Sequence, residues 1–97
     1  MKIYKDRDMT FEVDTLDFGV VPAGDTERKT YWIYNDSNAY YQELEFIVEH
    51  IEVEVVDAPK ELSAQAVAEL IVEWSPSVTL KEGLRTRLRI KGKELWG

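Results

Sequence analysis

The chain contains no cysteine, so neither a disulfide nor a thiolate metal site can hold it together. Its stability must come from apolar packing and backbone pairing. No apolar run approaches the roughly 20 residues that a membrane-spanning helix needs, and no membrane contact is expected. Met1-Lys2 is not followed by the apolar stretch of a secretory signal. The expected location is the cytoplasm, or a virus particle assembled there. At 97 residues the chain is expected to form one domain with a modest core.

The groups that do chemistry are also scarce. There is one histidine, His50, and no cysteine to pair with it. Ser37, Ser63, Ser75 and Ser77 all sit in turn-like contexts, so no nucleophile and base are brought together by pattern. No Gly-rich loop leads into a helix, as a phosphate cradle requires. Asp14, Asp17, Asp25, Asp36 and Asp57 lie near turns without the spacing of a calcium loop. Aspartate is common in turns for its own backbone bonding. The sequence therefore predicts neither an enzyme, nor a metal site, nor a bound cofactor.

Positive charge is in deficit, with 12 basic against 19 acidic residues and a net charge of -7. That opposes nucleic-acid binding, which needs a cationic field. The charge is unevenly spread. Glu43 to Glu73 holds nine carboxylates and one lysine, whereas Lys81 to Lys93 holds six basic residues and one glutamate. Cross-strand ion pairing would neutralise the two regions. Left unpaired, they would form opposed patches able to dock head to tail.

What is present is an apolar period of two, the signature of half-buried strands. Met9, Phe11 and Val13 alternate and predict a first strand; Leu16-Asp17-Phe18-Gly19 follows, then a turn through Pro22 and Gly24. Arg28 to Tyr34 predicts another strand, ended by Asn35-Asp36-Ser37-Asn38. Leu44, Phe46 and Val48 lie on the opposite parity to Ile51, Val53 and Val55, which requires a break near Glu49-His50. Residues 60–68 have the composition of a short helix or of a loop. The loop is preferred, because Ala68, Leu70, Val72 and Trp74 then alternate cleanly. Leu84, Thr86, Leu88 and Ile90 form the last predicted strand. The whole reads as an all-β, immunoglobulin-like sandwich of about seven antiparallel strands. Residues 1–8 and 92–97 are expected to be short tails. Trp96, in the second, should either pack back or mark a subunit contact.

Two stretches carry a family likeness. Leu16-Asp17-Phe18-Gly19 with Val21 and Gly24, followed by Tyr31-Trp32-Ile33-Tyr34-Asn35-Asp36-Ser37, resembles the opening of ASH-type domains. These belong with the major sperm protein and PapD-like immunoglobulin-like folds. Leu70-Ile71-Val72-Glu73-Trp74-Ser75-Pro76 is similar to that group's later strand end, and Leu88 to Gly92 to its closing strand. One departure is Ser63-Ala64-Gln65, where the group usually has a Pro-Gly turn. The resemblance implies a docking, scaffolding or self-assembly module. Some members are stand-alone parts of phage particles.

Two sets of residues are candidates for an interaction surface. If Tyr31 and Ile33 face the core, as the resemblance implies, Trp32 and Tyr34 face outward, with Tyr40 and Tyr41 close behind. Outward Trp and Tyr bury much area with few rotors. Arg85, Arg87, Arg89 and Lys91 share one face of the last strand, unless Glu69 and Glu73 on a neighbouring strand neutralise them. The expected function is a non-catalytic structural or protein-interaction module, self-assembling or a virion or prophage accessory. A carbohydrate-binding module using Trp32, Tyr34, Tyr40 and Tyr41 is the alternative. The expected partner is a protein or a second copy, with a glycan as the other ligand.

Overall fold

A computed structural model of the chain describes residues 1–96. Its strands are β1 (Lys2–Tyr4), β2 (Glu12–Val13), β3 (Thr15–Gly19), β4 (Glu27–Tyr34), β5 (Tyr40–Val48), β6 (Val53–Asp57), β7 (Val67–Trp74) and β8 (Leu84–Leu95). They form a sandwich of a five-stranded sheet, β2-β1-β4-β7-β6, and a three-stranded sheet, β3-β8-β5, here the large and small sheets. Every pairing is antiparallel. The run β1-β4-β7-β6 reproduces the A-B-E-D strand order of immunoglobulin sandwiches, and β5-β8 their C-F pair. Among the described residues, no helix is long and apolar enough to cross a membrane.

The period-two pattern becomes the core directly. Leu16, Ile33, Leu70, Val72 and Trp74 are fully buried, and Phe18, Val21, Tyr31 and Leu84 nearly so. Trp74 is the largest of them and packs against Phe18 at 5.9 Å between ring centroids. The parity break expected near Glu49-His50 is a turn between β5 and β6. Residues 60–66 are a loop, tied to β5 through reciprocal Tyr41 and Leu62 backbone bonds of 3.0 and 2.9 Å. Gly19 and Gly24 adopt φ of 66° and 89°, which a side chain would strain.

The chain ends differ from expectation. Residues 1–8 are not simply a tail, because Ile3 is buried and pairs with Ile33 on one side and Val13 on the other. The predicted first strand shrinks to Glu12–Val13. The cause is Asp6, whose carboxylate accepts the amides of Thr10 and Phe11 at 3.0 and 2.8 Å. That holds Met9 in a turn at φ 57° and leaves Phe11 exposed beneath Lys5. Residues 92–95 continue β8 opposite Tyr40–Gln42. Trp96 is 67% exposed and does not pack back; Gly97 lies outside the described residues.

Two polar devices tie the layers and the loops of the sandwich together. The Tyr31 hydroxyl, reaching from β4 across to β3, accepts the Asp17 amide at 2.9 Å. It satisfies a backbone donor on the outer edge of the small sheet. Asn35 is fully buried and ties the turn after β4 to residues 62–63.

Candidate interaction surfaces

The aromatic candidates divide between the sheets. In β4, Tyr31 and Ile33 point into the core and Trp32 and Tyr34 point out, half-buried. The register places Tyr4 of β1 and Glu69 of β7 on either side of Trp32, and Lys2 and Val67 on either side of Tyr34. Thr30 lies opposite Ile71 in the next row. The outer face of the large sheet thus carries Tyr4, Trp32, Tyr34, Val67 and Ile71 together. Tyr34 is anchored there by donating to Gln65 Oε1 at 2.6 Å.

Tyr40 and Tyr41 begin β5 in the small sheet. Tyr41 packs against the core, and burial, followed by the nearby Glu94 carboxylate, pushes its hydroxyl pKa up. Tyr40 lies near Glu61, and that carboxylate is the main cause of its raised pKa. Neither shares the outer face of Trp32. Tyr4, Val67 and Ile71 take their place, and sequence reasoning missed all three. Val67 and Ile71 had a signal, since they sit on the strand parity opposite to Leu70 and Val72.

Arg85, Arg87, Arg89 and Lys91 all project from the outer face of the small sheet and are exposed. The expected neutralisers are not beside them. Glu69 and Glu73 lie in β7 of the large sheet, where Glu73 pairs with Arg28 and Glu69 sits opposite Trp32. The sandwich puts β7 and β8 in different layers, which the sequence separation does not reveal. Arg85 instead meets Asp17 of β3 at 3.2 Å. Among the described residues, Arg87, Arg89 and Lys91 make no ion pair.

His50 occupies the turn after β5. Its Nδ1 accepts the Glu52 amide at 3.2 Å, and its ring stands edge-on to Trp74 at 6.2 Å. Glu52 accepts both the hydroxyl and the amide of Ser77, at 2.7 and 3.0 Å. Those two bonds are the main reason its pKa lies below the usual carboxylate value. Trp74 and His50 act on it more weakly, the indole from outside hydrogen-bonding geometry. A folded pKa below the unfolded one means a contribution present above the unfolded value and lost as pH falls through the folded value. Acidification below the ordinary 4.5 is therefore expected to free the turn at Ser77. Amide protection at Ser77, referred to the intrinsic rate at each pH, should fall there before that of the core amides does. An unchanged Ser77 protection factor down to acid unfolding would contradict this.

Among the described residues, no three His, Cys, Asp or Glu side chains are placed to hold a metal. A cleft of about 950 Å³ opens between β3 and the β2–β4 side of the large sheet. Lys5, Lys29 and Arg85 line it together with Glu12, Asp14 and Asp17, so neither sign of charge prevails. Set against known proteins, the chain matches no family model, no curated protein and no solved structure.

Proposed function

We propose that the chain is a non-catalytic protein-interaction module, related to the ASH-type sandwiches, that docks a protein on the outer face of its large sheet. The observation that carries this is the set Tyr4, Trp32, Tyr34, Val67 and Ile71 on one face, with Glu69 among them opposite Trp32 and the Arg28–Glu73 pair at its rim. An apolar and aromatic centre with a charged rim is the usual anatomy of a binding patch. The outermost strands favour contact through this face. Strand β6 is bulged between Val55 and Asp57 and bears Glu54 and Asp57, and the Asp17 amide of β3 is capped by Tyr31. Bulges and charges are the usual means of blunting an edge. The family relationship draws support from the core positions of Leu16, Phe18, Ile33 and Trp74 and from the positive φ of Gly19 and Gly24.

The test is a partner that co-purifies with the tagged protein, identified by mass, with its affinity then measured. Trp32→Ser is expected to weaken that affinity on the order of thirty-fold, because truncating a central interface Trp costs about 2 kcal/mol or more. The circular dichroism spectrum should stay that of the parent. An affinity unaffected by Trp32→Ser would remove the assignment. Glycan-array binding that depends on Trp32 would give the face to a carbohydrate instead.

A further inference from the structure

Strand β8 is 12 residues long, and its two sides are covered unequally. On one side β5 pairs with it from Leu88 to Leu95. On the other, β3 pairs with it only from Leu84 to Arg87. The path of the chain explains the difference. Immediately before Thr15 it crosses to the large sheet, where Glu12 and Val13 pair with β1 instead. Beyond Arg87, among the described residues, no strand pairs with β8 on its β3 side.

Backbone direction identifies the open groups. The Glu49 amide donates to the Arg87 carbonyl at 3.2 Å, so odd-numbered residues of β8 turn toward β5. Successive residues of a strand alternate in the side to which their N–H and C=O point. The amides and carbonyls of Leu88 and Ile90 therefore face the unoccupied side. A groove of about 360 Å³ runs there between the two sheets, and Met1, Ile3, Val13, Leu88 and Ile90 contribute its apolar lining. Leu88 and Ile90 are only partly buried. The unpaired Arg87, Arg89 and Lys91 side chains stand along the same edge on the outer face.

We infer that this open edge of β8 accepts an extended segment of another protein, alternating apolar and acidic residues, as an added strand. Backbone bonds to Leu88 and Ile90 would hold the segment, as in other strand additions. Its apolar side chains would fill the groove over Leu88 and Ile90, and its carboxylates would lie beside Arg89 and Lys91. The donor is a different polypeptide rather than a second copy. The chain's own outer strands are poor donors, since β2 has 2 residues, β3 is capped by Tyr31, β6 is bulged, and β5 is bulged and bonded along its outer side to Lys60 and Leu62. A net charge of -7 also sets two copies against each other. This site goes beyond the aromatic face and belongs to the other sheet, so each stands or falls separately.

The probe is a short acetylated peptide alternating Val and Glu, titrated into the full chain by fluorescence anisotropy. A Val–Lys peptide is the control. The Val–Glu peptide is expected to bind and the Val–Lys peptide to fail. The double variant Arg89→Glu, Lys91→Glu should weaken binding at least about tenfold, since like charges across a contact are strongly disfavoured. Both positions are exposed, so the fold should survive. In the complex, amide exchange at Leu88 and Ile90 should slow at least about tenfold, as for amides newly paired in a sheet. Arg89 and Lys91, already turned to β5, should change little. Trp32→Ser should bind the peptide as the parent does, which separates this site from the aromatic face. No binding at millimolar peptide, or binding without protection at Leu88 and Ile90, overturns the inference. A concentration-dependent dimer that protects the same two amides would seat a second copy there and overturn the choice of donor.

Discussion

Trp74→Ala is expected to destabilise the fold by about 3–5 kcal/mol, the range for deleting a buried aromatic side chain. Trp74 is the largest fully buried side chain, and it closes one end of the sandwich. Phe18 of β3 packs on it from the small sheet, and the His50 ring covers it from the turn between β5 and β6. Its backbone pairs with Glu27 of β4 and Val53 of β6. One deletion therefore loosens both sheets and the turn that joins them. In calorimetry the midpoint should fall by roughly 12–40 °C, given about 4–8 °C per kcal/mol for a domain of this size. A loss below about 1 kcal/mol would refute the role, since that is the cost of removing a single buried methylene rather than a buried indole.

Trp74→Phe separates packing from polarity at the same position. The indole Nε1 is buried and has no hydrogen-bond partner, and a buried orphan donor is unfavourable. Phenylalanine removes that donor and leaves a smaller void than alanine does. The two effects oppose each other, so the expected loss is no more than about 1.5 kcal/mol. A Trp74→Phe variant as unstable as Trp74→Ala would mean that the indole N–H is satisfied in solution after all. The nearby Glu52 would then be its acceptor.

The contrast between these substitutions also shows what the sequence conveys. The alternation of Ala68, Leu70, Val72 and Trp74 is a property of neighbours along the chain, and it places Trp74 in the core without any structure. The same holds for Tyr31 and Ile33 against Trp32 and Tyr34. The missing knowledge is lateral. Nothing in Lys2-Ile3-Tyr4 distinguishes a tail from a strand until Ile33 is seen beside Ile3, and with it Tyr4 joins Trp32. Nothing in Glu69 and Glu73 says that they lie in the other sheet from Arg87 and Arg89. Long-range register decides which side chains share a face, and register follows from packing of the whole domain. Local capture also overrode alternation once. Asp6 takes the amides of Thr10 and Phe11, so Met9-Thr10-Phe11 turns where its pattern promised a strand.

Asn35 is where a local signal and a lateral one meet, and Asn35→Ala is expected to destabilise the fold by about 2–4 kcal/mol. The sequence marks Asn35 only as the start of a turn. In the fold it is completely buried, and its Nδ2 donates to the carbonyls of Ala39, Leu62 and Ser63 at 2.8, 3.2 and 3.1 Å. Its Oδ1 accepts the amide and hydroxyl of Ser37. Its own amide donates to Ala66 and its carbonyl accepts from Gln65. Alanine keeps the backbone bonds, takes the side-chain donor from the Ala39 carbonyl, and leaves the Leu62 and Ser63 carbonyls with only the Tyr41 and Ala66 amides. Protection should therefore fail first in the 60–66 loop and at its Tyr41–Leu62 bridge. Asn35→Asp provides the sharper discrimination. A carboxylate there keeps an acceptor for Ser37 but faces three carbonyl oxygens, so its pKa must rise above the unfolded value. A raised folded pKa favours the fold below the unfolded value, about 3.9 for aspartate, and that advantage is lost as pH climbs through the folded value. Asn35→Asp should thus approach the parent in mild acid and weaken steadily toward neutrality, whereas Asn35→Ala should show no such slope. Denaturant midpoints measured across that range decide it. An aspartate variant indifferent to pH would show that the loop opens to let water solvate the charge, and the buried hub would not be what joins β4 to the 60–66 loop.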